Sequence, residues 1–142
     1  MKKPIILLAV VLTVIILFQA CDRIFFDHLS KKQIFALVSD NEELLLQCIA
    51  ENDFEKAYAI KGISYISVEE KIIEFGCGGS GFGSGTSYYG FYYTTDDNMT
   101  AIWCAGPVVP DGRGYSWTEE NGDNRYYTEK ICDCFYYYEA SF

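Results

Sequence analysis

The feature that most limits what this chain can become is its first apolar run. Lys2 and Lys3 precede residues 5–18, which are apolar except for Thr13, and the first acid is Asp22. A run with no polar face does not suit the surface helix of a globular domain. Lysines ahead of such a run stay on the cytoplasmic side of a membrane, so the remainder is directed outward. The run is slightly short for a spanning helix, which takes about 17 to 25 residues, and long for the core of a cleavable signal.

Three outcomes follow from that length. An uncleaved anchor occupies residues 1–26, with Phe25 and Phe26 at the level of the headgroups. A lipoprotein signal instead places the modified cysteine at Cys21, after Leu17-Phe18-Gln19-Ala20. That stretch is similar to a bacterial lipobox in Ala20 and departs from it at Phe18 and Gln19. Simple secretion would want a small residue where Phe18 stands. All three readings export residues 27–142, and the uncleaved anchor keeps its amino terminus in the cytoplasm.

Charge then narrows the partners of the exported part. The whole chain carries a formal charge of -9, and residues 1–20 hold two lysines and no acid, so the body stands at -11. Nucleic acid and anionic headgroups repel such a surface. About 120 residues suffice for one domain and are too few for two. Aromatic residues make up 17% of the chain, which sets it apart from a disordered stalk.

Periodicity divides the body in two. Ile34, Leu37, Val38, Leu44, Leu45, Cys48 and Ile49 recur at helical spacing, with Asn41 as the polar exception. Ser30 with Gln33 and Ser39 with Glu42 both fit capping boxes, which predicts two short helices or one helix broken near Ser39. Asn52 with Glu55 offers a third cap and a short turn of helix ending before Gly62. From residue 63 the period becomes two. Residues 63–68 and 72–77 read as a hairpin about Glu69-Glu70-Lys71, followed by a glycine-rich loop over residues 76–85. Residues 87–94 and 100–104 read as a second hairpin turned by Thr95-Asp96-Asp97-Asn98. Pro107, Pro110, Gly112 and Gly114 mark a loop. Residues 115–120 and 125–138 then flank Asn121-Gly122, a strong hairpin signal. The prediction is an α+β domain: helices on one face of an antiparallel sheet of about five to six strands built from hairpins.

Three segments carry a resemblance. Gly78-Gly79-Ser80-Gly81, Tyr88-Tyr89-Gly90-Phe91-Tyr92-Tyr93 and Glu120-Asn121-Gly122-Asp123-Asn124-Arg125-Tyr126-Tyr127 resemble small membrane-anchored proteins of bacteria. The resemblance implies a bacterial cell surface and no particular activity, since none attaches to that group.

Motifs for chemistry are thin. Gly76-Cys77-Gly78-Gly79-Ser80-Gly81 satisfies G-x-G-x-x-G, but strand-forming Ser87-Tyr88-Tyr89 follows where a dinucleotide site needs a helix. Six cysteines include no C-x-x-C pair, so neither a zinc site nor a redox pair is expected. Cys77 and Cys104 end predicted strands and are candidates to bridge Cys132 or Cys134 across the sheet, while Cys48 falls on the apolar helix face as a core residue. No metal or cofactor is expected. Asp96-Asp97-Asn98 is too short to form a calcium loop. His28, the only histidine, precedes the first capping box and is poorly placed for a nucleophile's partner.

Two functions remain. On strands, Tyr88 and Tyr92 share one side, and Tyr126, Tyr136 and Tyr138 repeat the two-sided pattern. One side must cover the helices. The other, if open, suits sugars or proteins, because tyrosine both stacks and hydrogen-bonds. The expected function is thus a membrane-tethered binding or structural module, with a protein or an envelope polysaccharide as partner. The alternative is a cell-envelope hydrolase using Glu119, Glu120 or Asp123 near the Asn121-Gly122 turn, which would need at least one of them desolvated.

Overall fold

The computed structural model describes residues 28–82, 85–99, 102, 104 and 106–142. The expected anchor over residues 1–26 and the candidate lipidation site Cys21 lie outside the described residues. Among the described residues, no helix is long and apolar enough to cross a membrane.

The described chain is α+β, as its periodicity predicts. Helix α1 (Lys31–Glu51) is followed by the single turn α2 (Glu55–Tyr58). Seven strands then form one antiparallel sheet: β1 (Tyr65–Val68), β2 (Ile72–Phe82), β3 (Gly85–Thr94), β4 (Val109–Asp111), β5 (Gly114–Thr118), β6 (Arg125–Cys132) and β7 (Phe135–Ser141).

At the start of α1 the Ser30 box forms: the Ser30 backbone N–H and hydroxyl both donate to Gln33 Oε1, at 2.9 and 2.7 Å. The Ser39 box does not form. Ser39 sits on the exposed side of an unbroken helix whose buried stripe, Ile34, Leu37, Val38, Leu45 and Cys48, runs past it. Packing of that stripe outweighs a local cap that would break it. Asn41 fits because its side-chain amide donates to the Leu37 carbonyl one turn back, at 2.8 Å. Asn52 ends α1 instead of opening α2: it takes a left-handed φ of 50°, and its N–H caps the last carbonyls.

The strand order is β1-β2-β3-β7-β6-β5-β4. Two meanders, β1–β3 and β4–β7, meet where β3 pairs with β7 at the centre of the sheet. This order corrects four expectations. Residues 76–82 are strand, not loop, with a bulge between Gly76 and Gly79. The partner of β3 is β7, and neither Ile102 nor Cys104 is in a strand. Residues 125–138 are two strands folded at Asp133-Cys134, where Cys134 takes φ 65°. The proline-containing loop supplies the short edge strand β4, bringing the total to seven.

Glycine is needed at one crossing in particular. Gly90 of β3 lies beneath the ring of Tyr138, and a Cβ there would meet that ring at 2.8 Å. The ring of Tyr65 covers Gly76 in the same way. Two tyrosines thus lie flat over strand glycines where ordinary side chains would hold them off.

Both faces of the sheet are packed. On the helix side, α1 seals Ile73, Phe75, Phe91, Phe135 and Tyr137, with Phe75 and Phe91 stacked 4.6 Å apart. On the opposite side Tyr92, Tyr126, Tyr136, Tyr138 and Ala140 form a second core. Its cover follows from the topology. The connection from central β3 to edge strand β4 must cross one face, and Met99, Ile102, Cys104 and Val108 of that connection lie on the tyrosines. The crossing is pinned at its start by Asp97, which accepts from Lys130 Nζ (2.7 Å), the Cys134 N–H (2.7 Å) and the Tyr136 hydroxyl (3.0 Å).

Candidate functional site

The tyrosines expected on an open face are core residues. Tyr92, Tyr126, Tyr136 and Tyr138 are each at most 5% exposed, and only Tyr88, at 39%, reaches solvent. Their polar tips are satisfied inside the protein. Tyr92 donates to the Thr128 hydroxyl at 2.9 Å, and Tyr136 to the Asp97 carbonyl at 2.7 Å. Tyr65 and Tyr138 both donate to one oxygen of Glu74. Burial first, then the Glu74 carboxylate, push the Tyr138 phenol far above its ordinary range. These five residues are not assembled into a surface site, because Met99, Ile102, Cys104 and Val108 pack on the cluster of Tyr92, Tyr126, Tyr136 and Tyr138, and exposed Tyr88 is outside it.

The carboxylates named for the hydrolase also fail to gather. Glu120 and Asp123 are exposed at the turn between β5 and β6, and Glu119 is only half-buried beside them. None of the three lines either of the two hollows described below, and the exposure of Glu120 and Asp123 runs against the desolvated acid a hydrolase would need. The cysteines stay apart as well: Cys48, Cys77, Cys104, Cys132 and Cys134 are all free thiols. Cys104 packs on the tyrosine side of the sheet, whereas Cys77 and Cys132 pack on the helix side. Cys77 on β2 and Cys132 on β6 are three strand spacings apart, about 14 Å, twice the reach of a disulfide. Cys134 turns away in the β6–β7 bend. The expected bridges therefore do not form. Burial pushes the Cys77 thiol up to about 12, which keeps it protonated and unreactive. Among the described residues no group of acids, cysteines or histidine is arranged to hold a metal ion.

A site that residue types alone did not announce lies on the helix side, beyond the reach of α1. Cross-strand register places two successive rows there. The first runs Tyr89–Glu139–Tyr127–Ser116 across β3, β7, β6 and β5. The second, one pleat further on, runs Ser87–Ser141–Arg125–Thr118. Over the β5–β6–β7 part of these rows opens a groove of about 470 Å³, lined by Ser116, Tyr127 and Glu139 of the first row and Thr118, Arg125 and Ser141 of the second, with Trp117, Tyr126 and Asp111 beside them. That volume is in the range of small-ligand sites.

The first row is partly roofed by the chain entering α1. His28 stacks on Tyr89, with ring centroids 4.3 Å apart. The Lys31 ammonium sits 4.6 Å from the Tyr127 ring centroid and pairs with Glu129, which is 3% exposed. Tyr127 donates to the same carboxylate at 2.7 Å, and Arg113 reaches its other oxygen at 3.1 Å. Although burial works against ionisation, the Lys31 and Tyr127 hydrogen bonds hold Glu129 below the usual carboxylate range. This cluster fixes Tyr127 so that its ring borders the groove at a set angle.

The second row has no roof. Ser87 and Ser141 share a hydroxyl–hydroxyl hydrogen bond of 2.8 Å. Arg125 and Thr118 are exposed, and Arg125 belongs to none of the ion pairs among the described residues. Glu139 receives only a 3.3 Å bond from the Tyr137 hydroxyl and has no cation within pairing distance among the described residues. The groove thus offers hydroxyls, one unengaged guanidinium, an acceptor carboxylate and an aromatic edge. It has no nucleophile–base pair. A smaller hollow of about 280 Å³ is lined by His28, Lys61, Ser64 and Cys77 together with Leu29, Gly62, Ile63 and Gly78.

No protein family, curated protein or solved structure matches the chain. Function therefore has to be argued from this geometry.

Proposed function

We infer that this protein is a membrane-tethered, extracytoplasmic binding module that takes its ligand in the open groove at the β5–β6–β7 end of the helix side. Residues 1–26 supply the tether, as an anchor or through lipid on Cys21, and the acidic domain over residues 27–142 faces outward. The tyrosine-rich layer serves as framework.

One observation carries the reading. Polar side chains capable of recognition converge on a preformed groove of about 470 Å³, while the helix-side core and the tyrosine cluster are packed. A hydrolase is disfavoured because its candidate acids stand on an exposed turn.

Site-specific photocrosslinking in the host tests this. A photoreactive residue replacing Thr118, in the groove, should yield a discrete adduct. The same residue at exposed Glu69, in the turn at the opposite end of the sheet, should not. Adducts from Glu69 alone, or none from Thr118, would place binding elsewhere.

A further inference from the structure

We propose that the groove's ligand is a saccharide chain bearing isolated carboxylates, held with a carboxylate on Arg125 and its hydroxyls on Ser141 and Thr118, with Ser87 bonded behind Ser141. The proposal rests on the groove being the binding site.

Arg125 is the first argument. In a body of formal charge -11, the guanidinium faces the groove without an internal carboxylate partner among the described residues. Its planar fork matches a carboxylate with two parallel hydrogen bonds. The hydroxyl row is the second. Ser87 and Ser141 spend one hydrogen bond on each other, which leaves further donor and acceptor capacity on both oxygens. From Ser141 to Thr118 the row crosses two strand spacings, about 10 Å, longer than one sugar ring and suited to a short stretch of chain. Behind the row, Tyr127 presents a ring edge to the apolar flank of a sugar, and Glu139 accepts from hydroxyls.

Competing ligands fit less well. A densely charged polymer such as a polyphosphate is repelled by the acidic body and by Asp111 and Glu139 in the groove itself. A protein partner needs an apolar pocket for a central anchor, and this row supplies hydroxyls there. An uncharged glycan would use the hydroxyls and leave the Arg125 fork idle. Sparse carboxylates on a hydroxyl-rich chain engage both.

The test uses the full-length protein in detergent micelles and acidic polysaccharide extracted from the host envelope. Half of the polysaccharide is treated with carbodiimide and borohydride, which reduces its carboxylates to alcohols. The native form should bind at least about tenfold more tightly than the reduced form, as expected for one lost charge-assisted pair. Arg125→Gln should lower affinity for the native form by a similar factor and leave the reduced form unaffected. Equal binding of native and reduced forms overturns the carboxylate, and absence of binding by either overturns the saccharide. Thr118→Trp, which fills the groove from an exposed position, should abolish binding. If the polysaccharide binds this variant normally, the groove reading itself falls, whereas a failed saccharide with a positive Thr118 photoadduct leaves the groove standing.

Discussion

Both faces of the sheet are built around aromatic side chains, yet the tyrosine layer and the open groove on the other face have opposite fates. Tyr92, Tyr126, Tyr136 and Tyr138 lie under the 99–108 crossing and bond only within the protein. At the end of the helix side, small hydroxyls and one arginine replace the rings, and nothing among the described residues covers them. Large amphipathic side chains gain most from burial, so a connection that must cross the sheet is drawn over the aromatic face. Serine and threonine gain little from burial, and a row of them holds no cover. In this sheet the open groove therefore sits where the aromatic pattern stops.

The sharpest way to break this comparison is to truncate a tyrosine. Tyr138→Ala removes a fully buried ring over Gly90 and leaves Glu74 short of a donor. It should cost about 3–5 kcal/mol, read as a lower midpoint in urea unfolding. A loss under about 1 kcal/mol, with the fold intact, would mean that this face is accessible surface after all.

The Lys31–Glu129 pair gives a smaller effect on the groove side. Lys31→Ala leaves Glu129 buried with only Tyr127 and exposed Arg113, at a cost of about 1–3 kcal/mol. The pH dependence has a definite sign. Glu129 is held below its ordinary range in the folded protein, so its contribution is full above that range and is lost as pH falls through the folded value. Acid unfolding of the parent should therefore include a component below about pH 4 that Glu129→Gln lacks. Identical acid curves for the two proteins would remove Glu129 from the account of how α1 is held.

Thiol chemistry checks the helix layer without altering it. In the native protein Cys48 and Cys77, each 2% exposed, should resist a maleimide reagent at neutral pH. Cys132, raised to about 11 chiefly by burial, should react slowly. Rapid labelling of Cys77 would mean that the helix layer opens readily over the sheet.

Much of this architecture is legible in the sequence. The apolar staircase of α1, the Ser30 cap, the β1–β2 turn and the strand at residues 87–94 follow from spacing and turn residues alone. What escapes is strand order. The turn at residues 95–98 reads locally as a hairpin, because nothing within it announces that β7, some forty residues later, will pair with β3. That one misreading also left the tyrosine face open, since only a crossing to a distant edge strand covers it. The glycines of β2 read as a loop because the rings that compensate for them, Tyr65 and the β3–β7 layer, come from elsewhere in the chain. The groove escapes for a related reason: Ser87, Ser141, Arg125 and Thr118 are unremarkable singly and become a row only through register. Arg125 carries the sole local signal, a cation beside a turn of acids, and its place in the row depends on the pairing of its strand.

The smallest expected change to the fold gives the finest test of the comparison. Ser87 and Ser141 bond to each other, so replacing either alone leaves a half-buried hydroxyl seeking a partner. Replacing both by alanine removes donor and acceptor together, and such paired removals are close to neutral, within about 0.5 kcal/mol. If the row exists for recognition, Ser87→Ala/Ser141→Ala should unfold like the parent and bind the native polysaccharide several-fold more weakly. If the row is framework, like the tyrosines behind it, the double variant should lose stability and keep its affinity. Measured on one preparation by urea unfolding and equilibrium binding, the two quantities move in opposite patterns under the two accounts, so a single variant separates them.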